Sequence, residues 1–472
     1  MHRQLWMDEI HTWLIVTDPS LSHSMAALEN GADFNPPTYY LALRGFLSVT
    51  GQSYAAMRWF SLICVAVGLG IVATMLRRTY STATVLASVA VVAIQPILIQ
   101  QSTEARFYAL WFALFAAFCF VRSRRSDSFR SHAAAGCLAV LICTTHYFGV
   151  LSLGLVFLVE AGSMGREGKR LPELIGFVAP YVAGVVAVGC CFGFYLGQRS
   201  VLTVPTWISP PTLSKTKIFL LGFVPVVLLA IAGLGRLLAS ESERSSEVSR
   251  PFQNSERLLL GSLGMPVLLV TFSYLVQPAL VDRYAIVTLL AWAPAFAIVL
   301  KNTRQWFAIM FSLLCVVIGF DNVNDLVAKY DRIESERNRL AAELTSLPQA
   351  VVFEDRIDHY PARLEYPNAP WYLLDFEQVE EERRSALRTV QRDVGRSVGR
   401  FYANYPLADV NKLVADGHRE VVLVPYRSDL ADETSPADVV RLQNEYPGFA
   451  IERIARRIFR LRWNGISASV TP

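Results

Sequence analysis

The chain alternates between long apolar runs and short polar stretches. Apolar runs of about 20 residues can cross the roughly 30 Å hydrocarbon core of a bilayer. Lipid offers the backbone amides no partners, so each run is predicted to be helical. The predicted segments lie at about 57–76, 82–100, 107–121, 133–145, 148–161, 174–196, 217–238, 258–276, 284–300 and 305–320. The pattern therefore predicts a membrane all-α protein whose polytopic bundle, residues 57–320, has about ten hydrophobic segments.

The two ends of the chain have a different pattern. Residues 1–56 are predicted to form an extracytoplasmic loop with interfacial helices, one of them beginning after Pro36 and Pro37. From Asp321 the chain becomes charged. Helical spacing at 322–346, short apolar strands at 350–353 and 420–424, and helices near 376–399 and 436–444 predict a soluble α/β domain over residues 321–472.

The positions of the basic residues predict the orientation. If 133–145 and 148–161 form a hairpin, the basic stretches at 77–78, 122–130, 166–170, 236–257 and 301–304 all fall on one side. Joining the pair into one helix would move 166–170 to the other side, so the positive-inside rule favours the hairpin and a cytoplasmic location for these stretches. The extracytoplasmic side then receives 1–56, 101–106, His146, 197–216, 277–283 and the carboxy-terminal domain.

Composition agrees with a membrane protein and narrows the chemistry. Hydrophobic residues make up 53% of the chain and the mean hydropathy is +0.34. The net charge of +4 is small, and no basic stretch interleaved with aromatics indicates nucleic-acid binding. All seven cysteines lie in apolar segments, which favours packing roles over disulfides or metal sites. Polar His2, Arg3 and Gln4 follow Met1 directly and exclude a cleavable signal peptide, so we expect a transmembrane helix upstream of this chain.

Five polar motifs fall on the predicted extracytoplasmic side. They are Trp6-Met7-Asp8-Glu9, Asp33-Phe34-Asn35-Pro36-Pro37, Glu104-Ala105-Arg106-Phe107-Tyr108, Thr145-His146-Tyr147 and Asp282-Arg283-Tyr284. Carboxylates and arginines at a lipid surface suit an anionic, lipid-linked substrate. We therefore expect these side chains to converge around a pocket at the outer end of the bundle.

Each motif also has a simpler explanation. Asp8 and Glu9 can accept a proton, bind a divalent cation or remain hydrated. Glu104 is predicted at a helix start, where the helix dipole favours it, whereas Arg106 there needs a carboxylate or a phosphate.

Arg283 either reaches lipid headgroups or binds a phosphate, and His146 is either structural or a substrate contact. Asp33 and Asn35 read as turn formers before the two prolines.

The motifs together resemble a known superfamily. An aromatic-x-Asp-Glu loop, Pro-Pro-x-Tyr-Tyr, Glu-Ala-Arg-Phe-Tyr-Ala-Leu, Thr-His-Tyr and a late Arg-Tyr occur in this order over residues 1–320. This order resembles the GT-C superfamily of membrane glycosyltransferases. The chain looks closest to bacterial members of glycosyltransferase family 39, which are similar to protein mannosyltransferases and the aminoarabinose transferase of lipid A. It departs from them in lacking a transmembrane helix before the Asp-Glu loop and in having Asn35 where histidine is frequent.

The resemblance implies a role for each candidate. It makes Asp8 the catalytic base, with Glu9 as a second catalytic or site-shaping carboxylate, and a divalent metal such as Mg or Mn is an open role for this pair. It implies that Asp33 and Asn35 shape the loop or contact the acceptor. The implied donor-binding residues are Glu104, Arg106, Tyr108, His146, Arg283 and Tyr284.

The implied fold is a GT-C-type helix bundle with an extracytoplasmic α/β domain in the inner (plasma) membrane. The implied activity is that of an inverting hexosyl or pentosyl transferase of the cell envelope, which moves a sugar from a polyprenyl-phosphate donor to a glycan, lipid or protein acceptor. A transporter or flippase of lipid-linked saccharides is the alternative. Transporters carry ionisable groups near the bilayer midplane, whereas these spans are nearly free of charge.

Overall fold

The computed structural model describes residues 4–124, 128–164, 171–202, 208, 210–223, 231, 253–301, 303–347, 349–354, 356–375, 386–402, 404–425 and 437–464. Most of the predicted segment 217–238 beyond 223, most of the loop 236–257 and residues 376–385 lie outside these ranges. The chain forms two compact units. The membrane unit comprises Met1–His2, Asn35–Tyr195 and Ile208–Lys329. The α/β unit comprises Arg3–Phe34, Leu196–Trp207 and Tyr330–Pro472.

The boundaries of these two units differ from the predicted domain boundaries at residues 56 and 320. The predicted domain division stays a prediction. Residues Arg3–Phe34 cluster with the carboxy-terminal region, and not with the membrane helices.

Helices account for most of the chain. In order they are α1 Met7–Thr17, α2 Leu21–Glu29, α3 Thr38–Thr50, α4 Tyr54–Leu76, α5 Thr82–Ala93, α6 Pro96–Thr103, α7 Tyr108–Ser123, α8 Phe129–Thr145, α9 Gly149–Met164, α10 Leu171–Cys190, α11 Phe192–Ser200, α12 Leu213–Gly222, α13 Asn254–Gly261, α14 Met265–Leu275, α15 Trp292–Leu300 and α16 Gln305–Thr345. Residues Ser262–Gly264 and Asp282–Ala291 are 3₁₀ helices.

Several of these helices are long and apolar enough to cross a bilayer, which confirms a multi-pass membrane protein. Among the described residues there are five such spans, Tyr54–Leu76, Leu174–Ser200, Asn254–Leu275, Asp282–Leu300 and Gln305–Thr345. Tyr108–Ser123, Phe129–Thr145 and Gly149–Gly162 are shorter apolar helices.

The predicted single segment 82–100 is wrong as a straight helix. Helices α5 and α6 are bent by 72° at the break before Pro96. Proline has no backbone N–H to continue the helix, and it pushes the preceding residue into extended conformation. Gln95 accordingly has φ −64° and ψ 127°.

The predicted hairpin between α8 and α9 is present. Helix α8 ends at Thr145 and α9 begins at Gly149, leaving His146 at the turn. A Cβ atom on Gly149 would lie 2.5 Å from the carbonyl oxygen of Ile142, so this tight return requires glycine. The orientation of the hairpin in the membrane stays a prediction.

Close packing of α4 and α7 forms part of the bundle interior. A Cβ atom on Gly68 of α4 would lie 2.8 Å from the ring of Phe112 on α7, so glycine permits this approach. Phe115 and Phe118 are fully buried on the same helix. By contrast, Val317 on α16 is more than half exposed, as expected of a side chain that faces lipid.

A buried ion pair lies at the end of α7 opposite Tyr108. The Arg122 guanidinium bonds Glu160 of α9 at 2.9–3.1 Å, and the Tyr181 hydroxyl of α10 donates to the same carboxylate. The Arg122 and Glu160 side chains are 12% and 9% exposed. Buried charges are tolerated only when paired.

The α/β unit contains a six-stranded sheet. Its strands are β1 Ala350–Phe353, β2 Trp371–Leu374, β3 Leu407–Ala408, β4 Glu420–Val424, β5 Phe449–Ala455 and β6 Ile458–Trp463, in the order β3-β2-β1-β4-β6-β5. The first four are parallel, and β6 pairs antiparallel with both β4 and β5. Helices α17 Arg356–Glu365, α18 Ala386–Phe401, α19 Val410–Ala415 and α20 Ala437–Glu445 connect the strands. The predicted strands at 350–353 and 420–424 and the small carboxy-terminal α/β fold are therefore confirmed.

Alternation along β1 divides the core of this unit between the two faces of the sheet. Ala350 and Val352 pack on one face with Leu442 of α20. Val351 and Phe353 pack on the other with Leu344 of α16. Helix α16 runs from Gln305 to Thr345, so the predicted apolar segment 305–320 and the predicted helical stretch 322–346 belong to one continuous helix.

We predict that Glu160→Leu destabilises the folded protein by about 3–5 kcal/mol, because it leaves the Arg122 guanidinium buried without this carboxylate. The double variant Arg122→Met with Glu160→Leu should recover most of the loss. Thermal unfolding in detergent measures both. Equal stability of the single variant and the wild type would contradict the role of the pair.

Candidate active site

A loop between α6 and α7 carries the Glu-Ala-Arg-Phe-Tyr motif. Glu104 ends α6, and its carboxylate accepts hydrogen bonds from the amides of Gln100 at 2.8 Å and Gln101 at 3.3 Å. Helix α7 begins only at Tyr108. The predicted helix start at Glu104 is therefore wrong, and these two amides stabilise its charge in place of the α7 dipole.

Two neighbouring rings of this loop hold two arginines. The rings of Phe107 and Tyr108 have centroids 4.2 Å apart. The Arg106 guanidinium carbon lies 5.0 Å from the Phe107 centroid, and that of Arg283 lies 5.8 Å from the Tyr108 centroid. Cation–π contacts of this kind are worth roughly 0.5–2 kcal/mol each and fix the direction of a guanidinium. Arg283, more than 170 positions away in the sequence, thus lies beside the Glu-Ala-Arg-Phe-Tyr motif.

His146 lies inside a ring of aromatic side chains. Its imidazole stacks on Trp111 of α7, with centroids 4.8 Å apart and planes 9° apart. Its other ring contacts, at centroid distances of 4.8–5.7 Å, are with Phe107, Tyr108, Phe148 and Tyr284. The side chain is almost completely buried.

The surroundings of His146 set its protonation state. The backbone N–H of Phe148 donates to Nδ1 at 3.1 Å, so Nδ1 is an acceptor and the proton of the neutral ring lies on Nε2. Burial, together with the positive charges of Arg106 and Arg283, lowers the pKa of His146 to about 3, and burial is the largest cause. At neutral pH the imidazole is therefore an uncharged donor between two cations.

The ring and guanidinium contacts described above join eight side chains into one group, which we call the arginine–histidine cluster. Its members are Arg106, Phe107, Tyr108, Trp111, His146, Phe148, Arg283 and Tyr284. Five of the predicted donor-binding residues belong to it, and they come from three separate parts of the chain. The sixth, Glu104, lies two residues before Arg106, whose backbone N–H donates to the Glu104 carbonyl at 2.9 Å.

The Pro-Pro-x-Tyr-Tyr segment extends this cluster. The ring of Tyr39 lies 6.1 Å from that of Phe107, edge to face. The Thr38 hydroxyl donates to the Thr144 hydroxyl at 2.7 Å, two residues before His146. Asn35 is buried at the start of this segment.

Asp8 and Glu9 lie in the α/β unit, at the start of α1. The Glu9 carboxylate accepts the backbone N–H of Trp6 at 2.9 Å and is fully buried. This contact makes Glu9 an N-terminal capping residue. Asp8, one position before Glu9, is half-buried and points in a different direction, because adjacent helix residues do not share a face. The convergence of Asp8 with Arg106 and Arg283 stays a prediction.

A metal at the Asp8–Glu9 pair gains little support from this geometry. One carboxylate of the pair caps the helix. Among the residues that the structure describes, no three His, Cys, Asp or Glu side chains group as metal ligands. The metal role therefore stays untested. Asp33 is buried in the α/β unit, where its carboxylate accepts the N–H of Phe34 at 2.7 Å, as a turn former does.

Three further residues were not among the predicted candidates: two belong to the arginine–histidine cluster, and the third is a buried arginine of α4. Trp111 follows Tyr108 by three positions, the spacing that places two side chains on one helix face. Phe148 follows His146 by two positions. Arg58 is a fully buried arginine within the apolar helix α4, and its position inside the predicted segment 57–76 was the signal to notice.

Comparisons with known proteins give one family likeness and one fold likeness. The sequence model of the family described as dolichyl-phosphate-mannose-protein mannosyltransferase matches residues 35–189, which include Arg106 and His146 but not Asp8 or Arg283. No curated protein matches the sequence.

Two solved structures of ArnT from Cupriavidus metallidurans are similar to this chain. The one bound to undecaprenyl phosphate aligns with a TM-score of 0.56 at 9% identity, over 98% of this chain and 94% of that one. The apo structure aligns with a TM-score of 0.42 at 10% identity over the same shares. The first likeness confirms the predicted fold. The family match, over residues 35–189 of 472, adds a sequence likeness to these mannosyltransferases within the membrane unit.

Proposed function

We propose that this chain transfers a sugar from a polyprenyl-phosphate donor to a glycan, lipid or protein acceptor on the extracytoplasmic face of the inner membrane. The observation that carries the proposal is the convergence of Arg106, His146 and Arg283 in the membrane unit. The similarity to an ArnT structure that holds undecaprenyl phosphate supports the same class of donor.

The arginine–histidine cluster suits a leaving phosphate. When the bond between the anomeric carbon and the phosphate oxygen breaks, negative charge builds on that oxygen. Two guanidinium groups held over Phe107 and Tyr108 stabilise this charge without reorganising during the reaction. Guanidinium groups also match phosphate oxygens in bidentate geometry. The Nε2–H of His146 adds a neutral donor whose strength does not depend on pH near neutrality.

Asp8 is proposed to supply the base. An acceptor hydroxyl or amine attacks the anomeric carbon opposite the phosphate, its proton passes to the Asp8 carboxylate, and the anomeric centre inverts in this single displacement. Glu9 holds the first turn of α1 through Trp6, and so fixes the backbone that carries Asp8. No step is assigned to a metal.

We predict that Arg106→Ala weakens binding of undecaprenyl phosphate about 10- to 100-fold, the loss of roughly 1.5–3 kcal/mol expected for a charge-assisted hydrogen bond. Arg106→Lys should recover part of this, because it restores the charge but not the bidentate geometry. Titration of the purified protein measures the dissociation constants. Arg77→Ala, at an exposed arginine that ends α4, is the matched control. Equal losses in Arg106→Ala and Arg77→Ala would contradict the site.

We predict that His146→Gln changes the pH dependence of undecaprenyl phosphate binding between pH 5.5 and 8.5 very little. A histidine with an ordinary pKa would gain positive charge below about pH 6.5 and bind the phosphate more tightly. With its pKa lowered to about 3, His146 stays neutral throughout this range. Ionisation of the lipid phosphate affects both proteins equally. Tighter binding below pH 7 in the wild type alone would refute a neutral His146.

Substitutions of the adjacent carboxylates Asp8 and Glu9 should have different effects on kcat in a transfer assay. We predict that Asp8→Asn lowers kcat about 100-fold or more with each polyprenyl-phosphate sugar that the wild type uses, since general bases contribute about 10²–10⁴-fold. Glu9→Gln should stay within about threefold of wild type, because glutamine keeps an oxygen that accepts the Trp6 N–H. Full turnover by Asp8→Asn would remove Asp8 from the role of base.

A further inference from the structure

The helix that carries Asp8 is too short to be stable alone. Helix α1 has 11 residues and α2 has 9, whereas isolated helices shorter than about 12–15 residues are marginal in water. Their order must therefore come from packing. Both helices lie in the α/β unit, and the carboxy-terminal part of that unit supplies most of their packing partners.

The first contact is aromatic. The rings of His11 on α1 and Tyr360 on α17 meet edge to face, with centroids 5.3 Å apart. Both side chains are buried, and Tyr360 also packs on Tyr405 at 4.9 Å. His11 is three positions after Asp8, so this contact fixes the helix one turn from the carboxylate. Nδ1 of His11 also lies 2.8 Å from the Ala32 carbonyl oxygen, which joins α1 to the turn after α2.

The second set of contacts holds the start of α1. The Gln4 side-chain amide donates to Asn338 of α16 at 2.9 Å and to Glu365 of α17 at 3.1 Å. The Arg337 guanidinium carbon lies 5.3 Å from the Trp6 ring centroid. Trp6 in turn donates to Glu9. The carboxy-terminal domain thus holds the segment that leads into α1, including its N-cap residue Trp6.

The third set holds α2 against α18. The Ser397 hydroxyl donates to the Asn30 carbonyl, and the His23 ring packs on Phe401 at 5.5 Å. Gly31 has φ +81°, and a Cβ atom there would lie 2.4 Å from Val201. This turn therefore fits against the segment at 201 only as glycine.

We propose that the carboxy-terminal α/β domain is the platform that positions Asp8, with Tyr360 as the positioning residue that acts through His11. The proposal rests on the proposed function for the role of Asp8. It gives this domain a task in catalysis, because a displacement of about 1 Å of a catalytic group can cost about 100-fold in rate.

The test compares full-length variants at equal folded fraction. Tyr360→Ala removes the ring contact with His11, Tyr360→Phe keeps it, and Tyr446→Ala makes the same truncation among the residues that pack with α20. Three quantities are measured: kcat with the wild-type donor, the dissociation constant of undecaprenyl phosphate, and hydrogen–deuterium exchange of residues 7–17.

Tyr360→Ala should lower kcat about 10- to 100-fold, leave undecaprenyl phosphate affinity within about twofold, and speed exchange in α1. Tyr360→Phe and Tyr446→Ala should stay near wild type. Unchanged kcat and exchange in Tyr360→Ala, or an equal loss in Tyr446→Ala, would overturn the proposal.

Two further measurements cover the cases in which Tyr360→Ala does not fold or the wild type transfers no sugar. If Tyr360→Ala does not fold, Ser397→Ala removes the bond to Asn30 and should speed exchange of residues 21–34; unchanged exchange there would count against the platform. If the wild type transfers no sugar, the proposed function fails, while the exchange data still decide whether this domain holds α1.

Discussion

The structure depends on placing positive charge among aromatic rings at the end of the membrane helices. Arg106 and Arg283 lie over Phe107 and Tyr108, and His146 stacks on Trp111 beside them. The aromatic rings attract the guanidinium groups through their π faces. These contacts fix the orientation of each guanidinium group and so the direction of its N–H donors. The same burial keeps His146 neutral, so the cluster carries two charges and not three. An anion that enters therefore meets fixed donors.

The bundle places these groups by local departures from straight helices. The break before Pro96 ends α5 and turns α6, after which the loop with Arg106 begins. Gly149 allows the tight turn that presents His146. At the other end of α7, the pair of Arg122 and Glu160 joins α7 to α9. Arg106 and His146 therefore lie in loops at helix ends, and the packed helices fix the positions of those loops.

Some of this was predictable from the sequence, for physical reasons. Arginines beside apolar segments are rare enough to mark Arg106 and Arg283, and the basic loops favoured the hairpin at His146. The capping contact of Glu9 was not predictable, because the residue three positions earlier is Trp6, which lacks the short polar side chain that marks a capping box. The stacking of Trp111 on His146 was not, because it depends on which faces of α7 and α8 meet. Nor was the continuity of α16, since its charged half resembles a separate soluble helix. The grouping of α1 with a domain more than 300 residues later is a long-range contact that no local pattern encodes.

The most direct test of the central claim is an experimental structure of the full chain with undecaprenyl phosphate. We expect a phosphate within hydrogen-bond distance of the Arg106 and Arg283 guanidinium groups, with Nε2 of His146 on the same side and the lipid tail along the helices. A phosphate bound away from both arginines, with the arginine–histidine cluster unchanged, would contradict it.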